Sequence, residues 1–287
     1  MLLDDRFHGL STRVETFHEK GCEKGSGFFY HQKGPPNPEK PEWVSISNTF
    51  LVTNRHLLLP QVENEEIIPN KIKFYHRRIL KSSISWIPIE IDRKEFLKRA
   101  KFHPNPGIDV ATVEILDLDK DLIKKSPVNE STHSTTIMND FSVSKEDLPG
   151  HNNINVEVAD DVVILGYPDE YYDTHNVFPI VKGGIIASRW GSNFNGLPYF
   201  LVDAKLFPGS SGSIVLSKPK DIAVINGQIF VAKEKQFAFL GIYASEPIVE
   251  INKPDDSVQI EKRFNLVVVW YGHLIEEIIN NGIRLQE

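Results

Sequence analysis

One cysteine, Cys22, stands in the whole 287-residue chain, so no disulfide can close within it. Long hydrophobic runs are missing: the longest, Leu266–Tyr271, falls far short of the ~20 residues a helix needs to cross a bilayer. Positive charge is in deficit, with 32 Lys and Arg against 39 Asp and Glu and a formal net charge of −7. That balance argues against nucleic acid as the main partner. The opening residues, Met1-Leu-Leu-Asp-Asp-Arg6, lack the basic start, apolar core and small-residue cleavage site of a secretory signal. These absences lead to the expectation of a reducing, cytoplasmic setting with no membrane contact. The residues present are balanced, 40% hydrophobic and 25% charged, which excludes collagen-like and wholly disordered chains. A chain of this length buries most of its unfolded surface and fits one large domain or two moderate ones.

Short apolar–polar alternations dominate, the period of strands rather than helices. One group comprises 26–30, 43–53, 71–75, 84–91 and 110–115; a second comprises 156–165, 180–188, 199–202, 213–216, 237–244 and 265–269. The polar, Ser/Thr/Asn/Lys-rich segment 117–155 separates them and is the candidate interdomain crossing. Two such groups predict two barrels or sandwiches. The one long helical pattern is terminal: residues 271–281 put Leu274, Ile275, Ile278 and Ile279 on one stripe, with Gly282 as the stop. That helix is expected to pack on the second barrel. The run 71–81 (KIKFYHRRILK) sets Ile72 and Phe74 against lysines and reads as an exposed strand rather than a nucleic-acid patch.

Three strings carry chemistry. Leu51-Val-Thr-Asn-Arg-His56 ends an apolar strand, Gly107-Ile-Asp109-Val-Ala opens another, and Phe207-Pro-Gly209-Ser-Ser211-Gly-Ser213 frames a serine with glycines. Acyl transfer by serine needs an attacking hydroxyl, an imidazole to take its proton and a carboxylate to fix the imidazole. Ser211, His56 and Asp109 supply these roles. Asp92 and Asp203 compete for the carboxylate role, and Ser210 and Ser213 for the hydroxyl. A tight turn at the glycines lets the N–H groups of Gly209 and Ser211 converge on a developing oxyanion; Pro208 has no N–H to offer. Cys22, between Gly21 and Glu23, has no local base and reads as a surface thiol. His18 has no second histidine four residues away, so a zincin arrangement fails.

In order and content these strings resemble the trypsin-like (chymotrypsin-fold) serine peptidases, above all the protease part of the bacterial HtrA-like branch. Further matches are Gly25-Ser-Gly27-Phe-Phe, Gly166-Tyr-Pro168 and Gly184-Ile-Ile-Ala-Ser188. The resemblance implies an all-β fold of two six-stranded antiparallel barrels with a C-terminal α-helix. Residues 1–125 would form the barrel carrying His56 and Asp109, 126–155 an interdomain loop, and 156–287 the barrel carrying Ser211. It also implies a cytoplasmic, bacterial serine endopeptidase that works through an acyl-enzyme. The site would be His56, Asp109 and Ser211 with an oxyanion hole at Gly209 and Ser211, and no metal or cofactor. Protein or peptide substrates would pair with the strand edge at Tyr243, Ala244 and Ser245, while Lys205 would lie near the first specificity pocket with its ammonium outward, since burying it unpaired is costly. Two positions depart from the family pattern: Ser213 stands where glycine is usual, and Ser210 where secreted trypsins carry the aspartate that receives a new N-terminus. That second departure leaves room for a regulatory protein partner that sets the oxyanion turn. The alternative function is a non-catalytic binding module on the same fold, or a protease latent until a partner binds. An α/β-hydrolase is excluded, because its nucleophile precedes its acid and histidine and sits on a G-x-S-x-G elbow. With a neutral imidazole as base, kcat/KM is expected to rise with pH through the ordinary histidine value near ~6.5.

Overall fold

The structure, a computed structural model, describes residues 3–36, 38–39, 45–80, 83–118, 141–168, 171–225, 228–251 and 260–286. A short helix α1 (Leu3–Leu10) leads into strands β1 (Ser11–His18), β2 (Gly21–Lys33) and β3 (Ile46–Thr53). Helix α2 (Arg55–Leu58), the small hairpin β4 (Gln61–Val62) and β5 (Glu65–Glu66), and the long hairpin β6 (Lys71–Leu80) and β7 (Ser83–Asp92) follow. Helix α3 (Arg93–Arg99), β8 (Ala100–Phe102) and β9 (Ala111–Glu114) complete the first half. The second half runs β10 (Asp161–Gly166), β11 (Ile180–Ile186), β12 (Tyr199–Asp203) and β13 (Ile214–Ser217). Hairpin β14 (Lys220–Ile225) and β15 (Gln228–Gln236), β16 (Phe239–Ser245), hairpin β17 (Ile248–Ile251) and β18 (Ile260–Arg263), β19 (Leu266–Tyr271) and helix α4 (Leu274–Asn281) end the chain.

The second half closes into a six-stranded antiparallel barrel in the order β10-β11-β12-β19-β16-β13. The first half is a seven-stranded sheet in the order β7-β6-β1-β2-β3-β9-β8. Among the described residues its outer strands do not pair with each other, so the expected pair of six-stranded barrels becomes one closed barrel and one curled half-barrel. The fold is chymotrypsin-like, as expected. Two of the seven strands lie outside the five segments expected for this half: the three-residue β8, and β1, whose sequence STRVETFH lacks a clean alternation because both of its faces are covered, with Thr12, Val14, Glu15 and Thr16 all buried. The expected strand 43–53 is seen from Ile46; residues 43 and 44 lie outside the described residues, as do 126–140 of the expected interdomain loop.

Strand β2 shows how the two halves join. Successive side chains of a strand face opposite ways, so Phe29 enters the core of the first sheet while Phe28 and Tyr30 enter a core shared with the second barrel. Strand β3 repeats the pattern, with Leu51 on one side and Phe50 and Val52 on the other. In the shared core Phe28 meets Phe239 edge-on at 5.3 Å between ring centroids. Each such side chain contributes about 1.5–3 kcal/mol by leaving water, and here that stabilisation holds the two sheets face to face.

The terminal helix buries Leu274, Ile275, Ile278 and Ile279 as its stripe predicts, but in this shared core rather than on the second barrel alone. The Tyr30 hydroxyl donates to Glu276 at 2.6 Å, Lys101 Nζ donates to the Ile279 carbonyl at 2.5 Å, and Ile283 exchanges backbone hydrogen bonds with Phe102. Gly282 ends the helix in an extended conformation, φ −66°, not the left-handed one a glycine stop suggests. Its glycine is needed for space: a Cβ there would lie 2.4 Å from the Ile278 carbonyl oxygen.

Candidate active site

His56 sits on α2, directly after β3. Leu57 and Leu58 anchor that helix in the first core, and Arg55, also buried, grips Glu66 with Nε to Oε1 at 2.7 Å and Nη2 to Oε2 at 2.6 Å. A bidentate pair fixes orientation as well as distance. With its neighbours held inward, the His56 ring is the side chain of the turn left facing solvent, 47% exposed.

Asp109 precedes β9 between buried Ile108 and Val110. The register Thr53↔Ala111 carries its strand alongside the end of β3. The Asn54 side chain donates to the Asp109 carbonyl at 2.7 Å, tying the two segments together. The carboxylate then holds His56 at two points: Oδ1 accepts the His56 backbone N–H at 2.9 Å, and Oδ2 lies 2.7 Å from Nδ1. With Nδ1–H donated to the carboxylate, Nε2 is the acceptor nitrogen. Desolvation opposes protonation of this ring, but the hydrogen bond and charge of Asp109, with a smaller contribution from the Glu23 carboxylate, outweigh it and raise the pKa above the ordinary histidine value. The unshifted value expected from the sequence is corrected accordingly. Asp92 caps α3 by accepting from the Glu95 N–H at 2.8 Å, and Asp203 is exposed on β12.

The turn around Ser211 is built from alternating peptide planes. Ser210 N–H donates to the Phe207 carbonyl at 3.1 Å, Gly212 N–H to the Tyr243 carbonyl at 3.0 Å, and Ser213 N–H to the Ser210 carbonyl at 3.0 Å. Among the described residues, the N–H groups of Gly209 and Ser211 have no protein acceptor. Gly209 and Gly212 both take φ +83°, a left-handed conformation that glycine adopts without strain. Ser213, where the family pattern has glycine, is accommodated: its Oγ donates to the Ser210 carbonyl at 2.5 Å and closes the turn from inside. Ser210 is buried, and both its N–H and its carbonyl are used within this turn.

The Ser211 turn packs against the His56 segment. A Cβ on Gly25 would lie 2.7 Å from a Leu57 methyl and 3.0 Å from the Ser211 carbonyl oxygen, and one on Gly212 would lie 2.4 Å from Thr53 Oγ1. Ser211 Oγ donates to the Ala244 carbonyl at 3.1 Å.

Of the expected substrate edge, Tyr243 is buried in the second core with both peptide groups bonded to the turn, through Gly212 N–H and the Ser213 carbonyl. Ser245 is exposed at the end of β16, and Lys205 is exposed with Nζ 5.9 Å from the Phe207 ring centroid. Three neighbours of the site were not singled out from the sequence: Asn54, Glu23 and Ser26. Asn54 and Ser26 stand inside quoted strings, but nothing local distinguishes them from ordinary strand residues. Cys22 is half-buried, and burial, followed by the charge of Glu15, pushes its thiol pKa upward.

A sequence profile of the trypsin-like peptidase domain matches residues 25–222. No curated protein matches the chain. Among solved structures, the chain is similar to a serine endoprotease from Yersinia pestis at 13% identity and TM-score 0.45, covering 96% of this chain and 63% of that one. It is similar to a Mycobacterium tuberculosis protease in its active form at 14% identity and TM-score 0.45, covering 98% and 84%. An inactivated protease paralogue of the scabies mite gives 13% identity and TM-score 0.46, covering 97% and 98%. The chain thus spans less than two thirds of the Yersinia pestis protein's length.

Proposed function

The chain belongs to the trypsin-like peptidase family, and we propose that it is a serine endopeptidase in which Ser211 is the nucleophile, His56 the general base and Asp109 the group that orients it. The observation that carries this reading is the two-point hold of Asp109 on His56, at 2.9 and 2.7 Å, beside a serine turn in which two N–H groups have no protein acceptor among the described residues. Ser211 Oγ attacks the scissile carbonyl carbon as His56 Nε2 takes its proton. The carbonyl oxygen gains the negative charge and accepts from Gly209 and Ser211 N–H. Collapse of the tetrahedral species breaks the C–N bond, and His56 gives its proton to the departing amine. Water, activated by the same imidazole, then hydrolyses the acyl-enzyme. Removal of one oxyanion donor costs on the order of 10²–10³ in kcat in such enzymes. Protein or peptide chains are the substrates, pairing in extended form at Ala244 and Ser245.

The test is covalent labelling by a fluorophosphonate. The intact protein becomes labelled at Ser211, and Ser211→Ala abolishes both labelling and peptide hydrolysis. Hydrolysis that survives in Ser211→Ala would overturn the assignment. A second reading, a protease latent until a partner binds, is favoured by the bond from Ser211 Oγ to Ala244. It requires that the isolated chain resist the reagent until the partner is added.

A further inference from the structure

Ser26, in β2 of the first sheet, reaches across to the nucleophile turn of the second barrel. Its backbone N–H donates to the Ser211 carbonyl at 2.8 Å, and its Oγ donates to the Gly209 carbonyl at 3.1 Å. The same Oγ accepts the Tyr167 N–H at 2.8 Å, and the Ser26 carbonyl accepts from Thr53 Oγ1 at 2.7 Å. The side chain is fully buried. Space for these contacts is cleared by glycines on three sides. A Cβ on Gly166 would lie 2.7 Å from Ser26 Oγ, and one on Gly212 would lie 2.0 Å from the Ser26 carbonyl oxygen. Gly25, next to Ser26 in the chain, faces the Ser211 carbonyl oxygen.

The peptide planes show what this contact does. The Gly209–Ser210 plane is held at both edges, by Ser26 Oγ on its carbonyl and by the Phe207 carbonyl on its N–H. The Ser211–Gly212 plane is likewise held by Ser26 N–H and the Tyr243 carbonyl. With these two planes fixed, the planes between and before them direct Ser211 N–H and Gly209 N–H, the two donors without a protein acceptor. Rotation of the Gly209–Ser210 plane would break the Ser26 Oγ bond and the bond to Phe207 together. In a buried setting each unmade bond carries a desolvation cost.

We propose that Ser26 is a positioning residue for the oxyanion donors, setting the Gly209–Ser210 peptide through its hydroxyl and thereby tying the donors of the closed barrel to β2, which pairs with the strand that leads to the base in the other half. This rests on the function proposed above. Ser26→Ala removes the hydroxyl and keeps the backbone bond. Donor misorientation of this kind lowers kcat/KM by roughly 10- to 100-fold, mainly in kcat. Affinity for a peptidyl trifluoromethyl ketone, which binds as a tetrahedral oxyanion, falls by the same factor, while affinity for the product peptide and the pH inflection set by His56 stay put. Thr12→Val is the matched control, deleting a buried hydroxyl that bonds the Tyr75 carbonyl at 2.7 Å elsewhere in the same sheet; it lowers Tm with kcat/KM within twofold of the parent. If Ser26→Ala does not fold, Ser26→Cys, with a similar shape and a weak donor, reads the same quantities. Unchanged ketone affinity and kcat in a folded Ser26 variant would overturn the proposal, and so would an equal kcat loss in Thr12→Val. A parent protein that neither hydrolyses peptides nor labels at Ser211 would instead sink the peptidase reading, and the role of Ser26 with it.

Discussion

The Ser211 hydroxyl donates to the Ala244 carbonyl at 3.1 Å, and among the described residues no hydrogen bond joins it to His56. Ala244 lies on the strand edge proposed to receive substrate, so the nucleophile and an incoming peptide N–H compete for one acceptor. A peptide that takes the Ala244 carbonyl releases the hydroxyl to turn about its Cα–Cβ bond toward Nε2.

Reagents that carry a peptide should therefore react faster at saturation, not only bind more tightly. The limiting labelling rate of a peptidyl phosphonate is expected to exceed that of an analogue of equal reactivity whose backbone N–H is methylated. Stopped labelling time courses across reagent concentration give both the rate and the affinity. Equal limiting rates would show that the bond to Ala244 does not restrain the hydroxyl.

The pH profile follows from the direction of the His56 shift. The base must be neutral, and its pKa lies above the ordinary histidine value because the Asp109 hydrogen bond and charge outweigh desolvation. Hence kcat/KM should rise with pH through an inflection above ~6.5. Glu23 contributes to the same shift, so Glu23→Gln should move the inflection down, and added salt should shrink the difference because the Glu23 side chain is 55% exposed. Stability is linked with its own sign: a raised histidine pKa adds stability that is full below the unfolded value and is lost as pH rises through the folded one. An inflection at or below the ordinary value, measured under subsaturating substrate, would contradict the geometry at Asp109.

Gly212 should tolerate no side chain. At φ +83° an L-residue is strained by about 1–3 kcal/mol, and a Cβ would meet the Ser26 carbonyl oxygen at 2.0 Å and Thr53 Oγ1 at 2.4 Å. Gly212→Ala should lower the unfolding midpoint in urea and abolish labelling at Ser211, since the displaced atoms are those of β2 and β3 against which the Ser211 turn packs. Gly191, also left-handed at φ +72° but with nothing within 4 Å of its Cβ, isolates the conformational part: Gly191→Ala should cost stability alone.

Much of the site was legible because its residues announce themselves locally. His56 closes an apolar strand, Asp109 opens one, and Ser211 stands between turn-forming residues, each a pattern within a few positions. The β periodicity was legible for the same reason wherever one face of a strand meets solvent. It failed at β1, where both faces are covered and Thr12, Glu15 and Thr16 are buried among polar partners. It also underread β2, which runs over Gly21–Lys33 rather than the five residues of its apolar centre. The terminal stripe identified the helix and its buried side correctly, but Tyr30, Lys101 and Phe102 belong to sequence-distant strands, so its docking across both halves left no local trace.

The sequence by itself determined the strand-rich class and the terminal helix and offered the histidine, aspartate and serine of the proposed site, because each depends on the spacing of near neighbours. Only the tertiary structure decided that one half closes and the other stays a seven-stranded half-barrel, that His56 is held at two points, and that Ser26 fastens the nucleophile turn from across the interface. Those outcomes depend on which acceptor meets which donor between distant segments, 53 residues apart for His56 and Asp109 and 183 for Ser26 and Gly209, and a hydrogen bond of 3 Å is a property of the packed surfaces, not of the order of the residues that form them.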